Sequence, residues 1–232
     1  MGNYSEIELS NNFINIFNQF GFPFAIRDME CRLIYANQAT ADVCNAKAPS
    51  DVIGRFDYEI KSGIFEHEDA IEEFERQYKR VMETEQSFST LEIHPNAIDY
   101  PYIFSKHPYY DANKECIGMI GYNKPLEVYS INDYVKGNMP GSLLLTKPDD
   151  FFTERQCEIM FYRLQGLKAK EVAKRLNLAA NTFNNYMQTI YDKACVRNLD
   201  EFIEFCEKRN YHRYLPRRFL SKEAITFSSS II

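Results

Sequence analysis

The sequence predicts an α+β chain, an antiparallel sheet with flanking helices followed by an all-α unit. Three observations carry that expectation. Short apolar runs rich in aromatic and β-branched residues, bounded by turn residues, occupy residues 22–36 and 88–122. From Phe152 onward the apolar residues change to helical spacing, punctuated by helix-start and helix-stop signals. Charge divides along the same line: residues 151–232 hold 14 Lys and Arg against 9 Asp and Glu, and residues 1–150 hold 13 against 24. A chain of 232 residues, 45% hydrophobic and 15% aromatic, has material for two cores. The expected division is an amphipathic helix (1–20), a sheet domain (21–127), a linker (128–150), a helical domain (151–208) and a tail (209–232).

In chain order, Ile7, Leu9, Phe13, Ile14, Phe17 and Phe20 recur at roughly helical spacing until Gly21-Phe22-Pro23 ends the pattern. The stripe of Phe13, Ile14, Phe17 and Phe20 has two possible covers, its own domain or the sheet of a dimer partner. From Phe22 an apolar strand, a polar hairpin at Asp28-Met29-Glu30 and a second strand at Leu33-Ile34-Tyr35 lead to Asn37, which opens a helix. Residues 68–83 put Ile71, Phe74, Tyr78 and Val81 on one helical face with charges on the other. Strands follow at Phe88–Ile93, Tyr102–His107 and Cys116–Tyr122, the last two separated by a turn at Asp111-Ala112-Asn113. Gly137, Pro140, Gly141 and Pro148 argue against one continuous helix in the linker.

In the C-terminal part, Thr153 and Gln156 have the spacing of a capping box ahead of Ile159, Met160 and Leu164, and Gly166 supplies the helix end. Val172, Ala173 and Leu176 make a short second stripe flanked by Lys168, Lys170, Lys174 and Arg175. After Asn177-Leu178-Ala179, a third helix from Ala180 to Ala194 turns Phe183, Met187 and Ile190 inward and Asn184, Asn185 and Gln188 outward. Two helices joined by a tight turn, the second with an outward row of amides, form a helix-turn-helix. Phe202, Ile203 and Cys206 give a fourth helix an apolar face, a second candidate dimer contact. The tail beyond Asn210 sets Tyr211, Tyr214 and Phe219 among basic residues, suited to a nucleic-acid backbone or to covering the fourth helix.

Residues 152–198 resemble the DNA-binding domain of the LuxR/FixJ family. Phe152, Thr153 and Arg155 match its opening, followed in order by Glu158, Gly166, Glu171-Val172-Ala173, Leu176, Thr182, Lys193, Val196 and Asn198. The departures are Phe183-Asn184 at the family's Val-Lys, Tyr186 at its His and Ala179-Ala180 at its Ser-Pro. The resemblance implies base reading by Asn184, Asn185 and Gln188, since Asn and Gln can bond adenine N6 and N7 together. Phosphate contacts then fall to Thr182, Lys193, Lys168 and Lys170. Residues 20–127 resemble PAS domains in Phe24-Ala25-Ile26-Arg27-Asp28, in Tyr35-Ala36-Asn37-Gln38-Ala39, in Val52-Ile53-Gly54-Arg55 and in Cys116-Ile117-Gly118-Met119-Ile120-Gly121. That resemblance implies a cavity beside the sheet, with Tyr35, Tyr58, Phe74, Tyr78 and Phe104 as wall residues and a small apolar or amphipathic molecule as input.

The six cysteines are scattered, and neither Cys-x-x-Cys nor a Cys/His cluster at metal spacing is present, so no metal site is expected and the thiols read as reduced. His67, His94, His107 and His212 stand isolated. Gly-rich phosphate loops, nucleophile elbows and kinase motifs are missing, which argues against an enzyme. No 18-residue apolar run suggests a membrane span. The expected protein is a cytoplasmic, dimeric bacterial transcription regulator with no resident cofactor. Its partners are double-stranded promoter DNA, a second copy of itself and RNA polymerase. The competing expectation is a protein-interaction regulator whose helix-turn-helix no longer reads DNA, because Asn184 and Tyr186 replace cationic positions.

Overall fold

The computed structural model describes residues 9–65, 68–95, 97–128, 135, 137, 139–219 and 225–227; Ile7 and His67 lie outside the described residues. The chain divides into two compact units: residues 1–98, 102–125 and 223–232 form the first, and residues 99–101 and 126–222 the second.

The first unit is built on a six-stranded antiparallel sheet. Its strands are β1 (Phe24–Asp28), β2 (Leu33–Ala36), β3 (Phe88–Glu92), β4 (Tyr102–Tyr110), β5 (Cys116–Pro125) and an eighth strand, Ile225–Phe227. They lie in the order β2-β1-β5-β4-β3 with Ile225–Phe227 on the outer edge of β3. Side chains alternate between faces. On β1, Phe24 and Ile26 join a cluster under the first helix, α1 (Asn11–Phe17), while Ala25 and Arg27 face the opposite side. Helices α2 (Gln38–Val43) and α3 (Glu68–Thr84) belong to that opposite side, α3 burying Phe74, Gln77, Tyr78, Val81 and Met82. Its first turn carries Glu68 and Asp69, favourable at the positive end of a helix.

The stripe on α1 is spent within its own domain. Phe13, Ile14, Phe17 and Phe20 are half-buried against Phe24, Ile26 and Tyr35, and Phe17 stacks on Phe24 with ring centroids 3.8 Å apart. Asn37 clamps this arrangement: its side-chain nitrogen donates to the carbonyls of Phe17, Phe20 and Phe22, and its oxygen accepts from the backbone N–H groups of Phe24 and Thr40.

In the second unit, β6 (Glu127–Val128) pairs with β7 (Gly141–Ser142), and helices α4 (Glu154–Leu164), α5 (Ala169–Arg175), α6 (Ala180–Ala194) and α7 (Leu199–Lys208) close around one core. The capping box is present in full, Gln156 N–H on Thr153 Oγ1 and Thr153 N–H on Gln156 Oε1. Gly166 sits at φ +79°, a left-handed position at which a helix end favours glycine. Arg155 donates to the carbonyl of Leu176 (3.1 Å) and tethers α4 to the end of α5. Phe202 and Cys206, on the apolar face expected of the fourth helix, are fully buried in this core.

The core reaches beyond α4–α7. Tyr211 and Tyr214 are buried in it, and Leu144 packs against it and exchanges backbone hydrogen bonds with Arg213 and Leu215. Phe219 stacks on Phe161 (4.9 Å). The tail's aromatic rings therefore cover the helical domain.

Candidate functional site

The helix-turn-helix consists of α5, the turn through Asn177 at φ +52°, and α6. Phe183, Met187 and Ile190 anchor α6 in the core, and the remaining positions of a 3.6-residue period leave Thr182, Asn184, Asn185 and Gln188 exposed in one outward row. Lys168, Lys170, Lys174 and Arg175 are exposed on and beside α5. Ala179, at the N-cap of α6, offers no side-chain acceptor, so the first N–H groups of this 15-residue helix lack a side-chain cap. Phosphates accept from such groups.

Two members of the predicted set are engaged elsewhere on their own unit. Gln188 donates to Asp192 at 2.7 Å, one turn along the same helix, which ties the amide to a carboxylate. Lys193 places its Nζ 5.1 Å from the ring centre of Phe151, so its charge rests over the aromatic pair before α4. Asp192 was missed by the sequence reading, although its spacing of four from Gln188 is a legible signal.

The first unit holds a cavity of about 60 Å³ between the inner sheet face, α2, α3 and the turn around Ile64. Phe74, Tyr78 and Phe104 line it, together with Phe65, Tyr102 and Met119. Tyr35 does not: the register pairs it with Ile26, which puts it on the α1 face, where its hydroxyl donates to Asn18 at 2.9 Å. Nor does Tyr58, which is 61% exposed and stacked on Phe56. In the 3₁₀ turn Asp57–Glu59 it is the neighbouring Asp57 that turns inward.

Asp57 enters a buried cluster at the cavity wall. It pairs with the Arg27 guanidinium and accepts from the Tyr78 hydroxyl at 3.0 Å, while Arg27 also donates to the carbonyl of Cys31 at 2.9 Å and lies over the Tyr78 ring. Burial opposes the Arg27 charge, but the Asp57 carboxylate outweighs it and holds the guanidinium protonated. A second buried chain runs across β3 and β4: Lys106 Nζ donates to Thr90 Oγ1 (2.7 Å), which donates to Glu92 (2.6 Å). Burial drives Lys106 down to about 7, and Glu92 only partly offsets it. Arg27 and Asp57 were not among the expected site residues. Arg27 carried a legible signal as a charge within the apolar strand around it, whereas Asp57, between Arg55 and Glu59, carried none. Among the described residues, no three His, Cys, Asp or Glu side chains gather as a metal site, and no helix is long and apolar enough to cross a membrane.

The first unit is thus a sheet domain with a cavity against one face, and the second a four-helix domain that presents a helix-turn-helix. Residues 17–125 match the family model described as PAS fold, and residues 150–206 match that of bacterial regulatory proteins of the luxR family. The chain thus carries a segment that matches the PAS fold followed by one that matches the luxR family. Among solved structures, VqmA of Vibrio cholera in complex with ligand and DNA is 24% identical, over 97% of this chain and 99% of that one, with a TM-score of 0.70. A phage VqmA in complex with DPO is 23% identical over 94% and 95% of the two chains, with a TM-score of 0.58. At these identities the likeness is one of fold. No curated protein sequence matches the chain.

Proposed function

We propose that this chain is a sequence-specific, DNA-binding transcription regulator that acts as a homodimer and responds to a small molecule held in the PAS cavity. The observation that carries this reading is the outward row of Thr182, Asn184, Asn185 and Gln188 on α6, beside the exposed lysines of α5 in a luxR-family domain. Asn184 and Asn185 read base edges, and Lys168, Lys170 and the uncapped start of α6 hold phosphates. Gln188 reads DNA once it leaves Asp192. The solved structures that share this fold include a VqmA–ligand–DNA complex and a VqmA dimer, which support DNA, ligand and a second copy as partners here. RNA polymerase is the further partner that such a regulator addresses. A cavity of about 60 Å³ holds roughly four to six non-hydrogen groups, so the input is small. Two-fold pairing supplies the affinity that one helix-turn-helix lacks. With Phe13, Ile14, Phe17 and Phe20 half-buried on their own sheet, the dimer contact on α1 falls to its outer flank around Ile16, 54% exposed.

Selection of binding sites from a random duplex library, followed by gel shifts, tests the assignment. Asn184→Ala and Asn185→Ala are each expected to weaken the selected site by about 1–3 kcal/mol while leaving non-specific binding nearly unchanged. Unchanged sequence preference in both variants excludes α6 as the reading helix. Failure to select any site favours the protein-interaction alternative.

A further inference from the structure

The segment after α7 turns its rings into the second unit and two arginines out of it. Tyr214 is buried in the core with its hydroxyl on Glu154 at 2.8 Å, and the backbone N–H of Leu215 donates to the Leu144 carbonyl. Buried Pro216 then leads into a single 3₁₀ turn, Arg217–Phe219, closed by the Phe219 N–H on the Pro216 carbonyl at 2.9 Å. Phe219 ends the turn against α4, its ring centre 4.9 Å from those of both Phe161 and Tyr162. Between these two anchors Arg217 and Arg218 stand exposed. Arg218 reaches Glu158 at 3.3 Å, a carboxylate that it shares with Arg155, and Arg217 pairs with no carboxylate among the described residues. On the other side of the Phe219 contact, the Tyr162 ring carries the Arg175 guanidinium at 5.8 Å, and Arg175 ends α5. Through these two touching rings, Arg217 and Arg218 continue the basic strip that starts at Lys168 and Lys170 and runs along α5 to Arg175. The first helix of a helix-turn-helix crosses the phosphate backbone, so a strip that prolongs it follows that backbone. A guanidinium fork fits two phosphate oxygens at once.

We propose that the Arg217–Phe219 turn is a second phosphate clamp, in which Arg217 and Arg218 grip the DNA backbone beside the base pairs that α6 reads. The turn lies beyond residues 150–206, the span that matches the luxR family. The proposal rests on the reading of α5 and α6 as a DNA-binding pair, and the clamp adds affinity without sequence information. Anchoring at both ends lowers the entropy that the contact costs.

Fluorescence anisotropy over a salt series, with the full chain carrying Arg217→Ala and Arg218→Ala together, tests the clamp on two duplexes. One is the selected site with about five further base pairs, half a helical turn, on each side, and the other is the same site trimmed to the bases that set selection. On the longer duplex the slope of log affinity against log salt is expected to fall by about 2 for each bound protomer. On the trimmed duplex the variant and the wild type bind alike, and Arg217→Lys with Arg218→Lys keeps the wild-type slope on both. An unchanged slope on the longer duplex overturns the clamp and leaves α5 and α6 as the interface. An equal loss on both duplexes also overturns it, since the damage then lies in the domain and not in a flanking contact. If the wild-type chain binds neither duplex, the DNA-binding reading falls and the clamp with it.

Discussion

Asn37 shows how much one side chain can organise. It opens α2 as its N-cap, and the same amide holds three carbonyls from the segment that ends α1 and the N–H that begins β1. Replacing it with Leu keeps the volume but strands several buried backbone groups, each costing about 1–3 kcal/mol. The expected loss is about 3 kcal/mol in urea unfolding, and a loss below about 1 kcal/mol would show that water replaces the amide. Lys106 gives the second residue-scale prediction. Burial lowers it to about 7, whereas in the unfolded chain it titrates near its ordinary 10.5. Above pH 7 the unfolded chain therefore binds the extra proton, and the Lys106 contribution to stability rises with pH until the unfolded lysine also deprotonates. The stability difference between wild type and Lys106→Met should move in favour of the wild type from pH 7 to 9.5. Denaturant midpoints at intervals across that range check it, and a pH-independent difference would mean that Lys106 keeps an ordinary proton affinity.

At the scale of elements, α5 and α6 divide the work between charge and pattern. Lys168 and Lys170 are exposed, so their removal costs little stability. If each neutralises one phosphate, the double Ala variant reduces the slope of log affinity against log salt by about 2, equally for specific and random duplexes. Fluorescence anisotropy over a salt series reads that slope, and an unchanged slope removes both lysines from the interface. The helices and strands themselves were legible in the sequence because periodicity and caps are local: Thr153 with Gln156, Gly166, and the inward row of Phe183, Met187 and Ile190 stand where their spacing put them. The cavity wall was less legible. An irregularity between Ile26 and Arg27 shifts the register opposite β2, and pairing with Ile26 decides that Tyr35 faces α1. A single 3₁₀ turn exchanges exposed Tyr58 for buried Asp57. Neither follows from local pattern, because each depends on which strand or helix the segment meets.

At the scale of the whole molecule, the second unit is larger than its four helices. Leu145 is fully buried, Leu144 is bonded to Arg213 and Leu215, and Tyr211 and Tyr214 complete the core. Burying one such Leu contributes about 2 kcal/mol. A fragment of residues 151–208 is therefore expected to melt well below one of residues 139–219, which circular dichroism can follow; equal midpoints would mean that the flanking segments add no stability.

The strand Ile225–Phe227 pairs with β3, about 130 residues earlier in the chain. On the ribosome, at roughly 5–20 residues per second, the outer edge of β3 waits for its neighbour for on the order of ten seconds. A bare edge is where nascent chains on one messenger can pair with each other. β3 meets that interval with Ser89, Thr90 and Glu92 in a five-residue strand, a composition that is poorly suited to self-association while its companion is still being made.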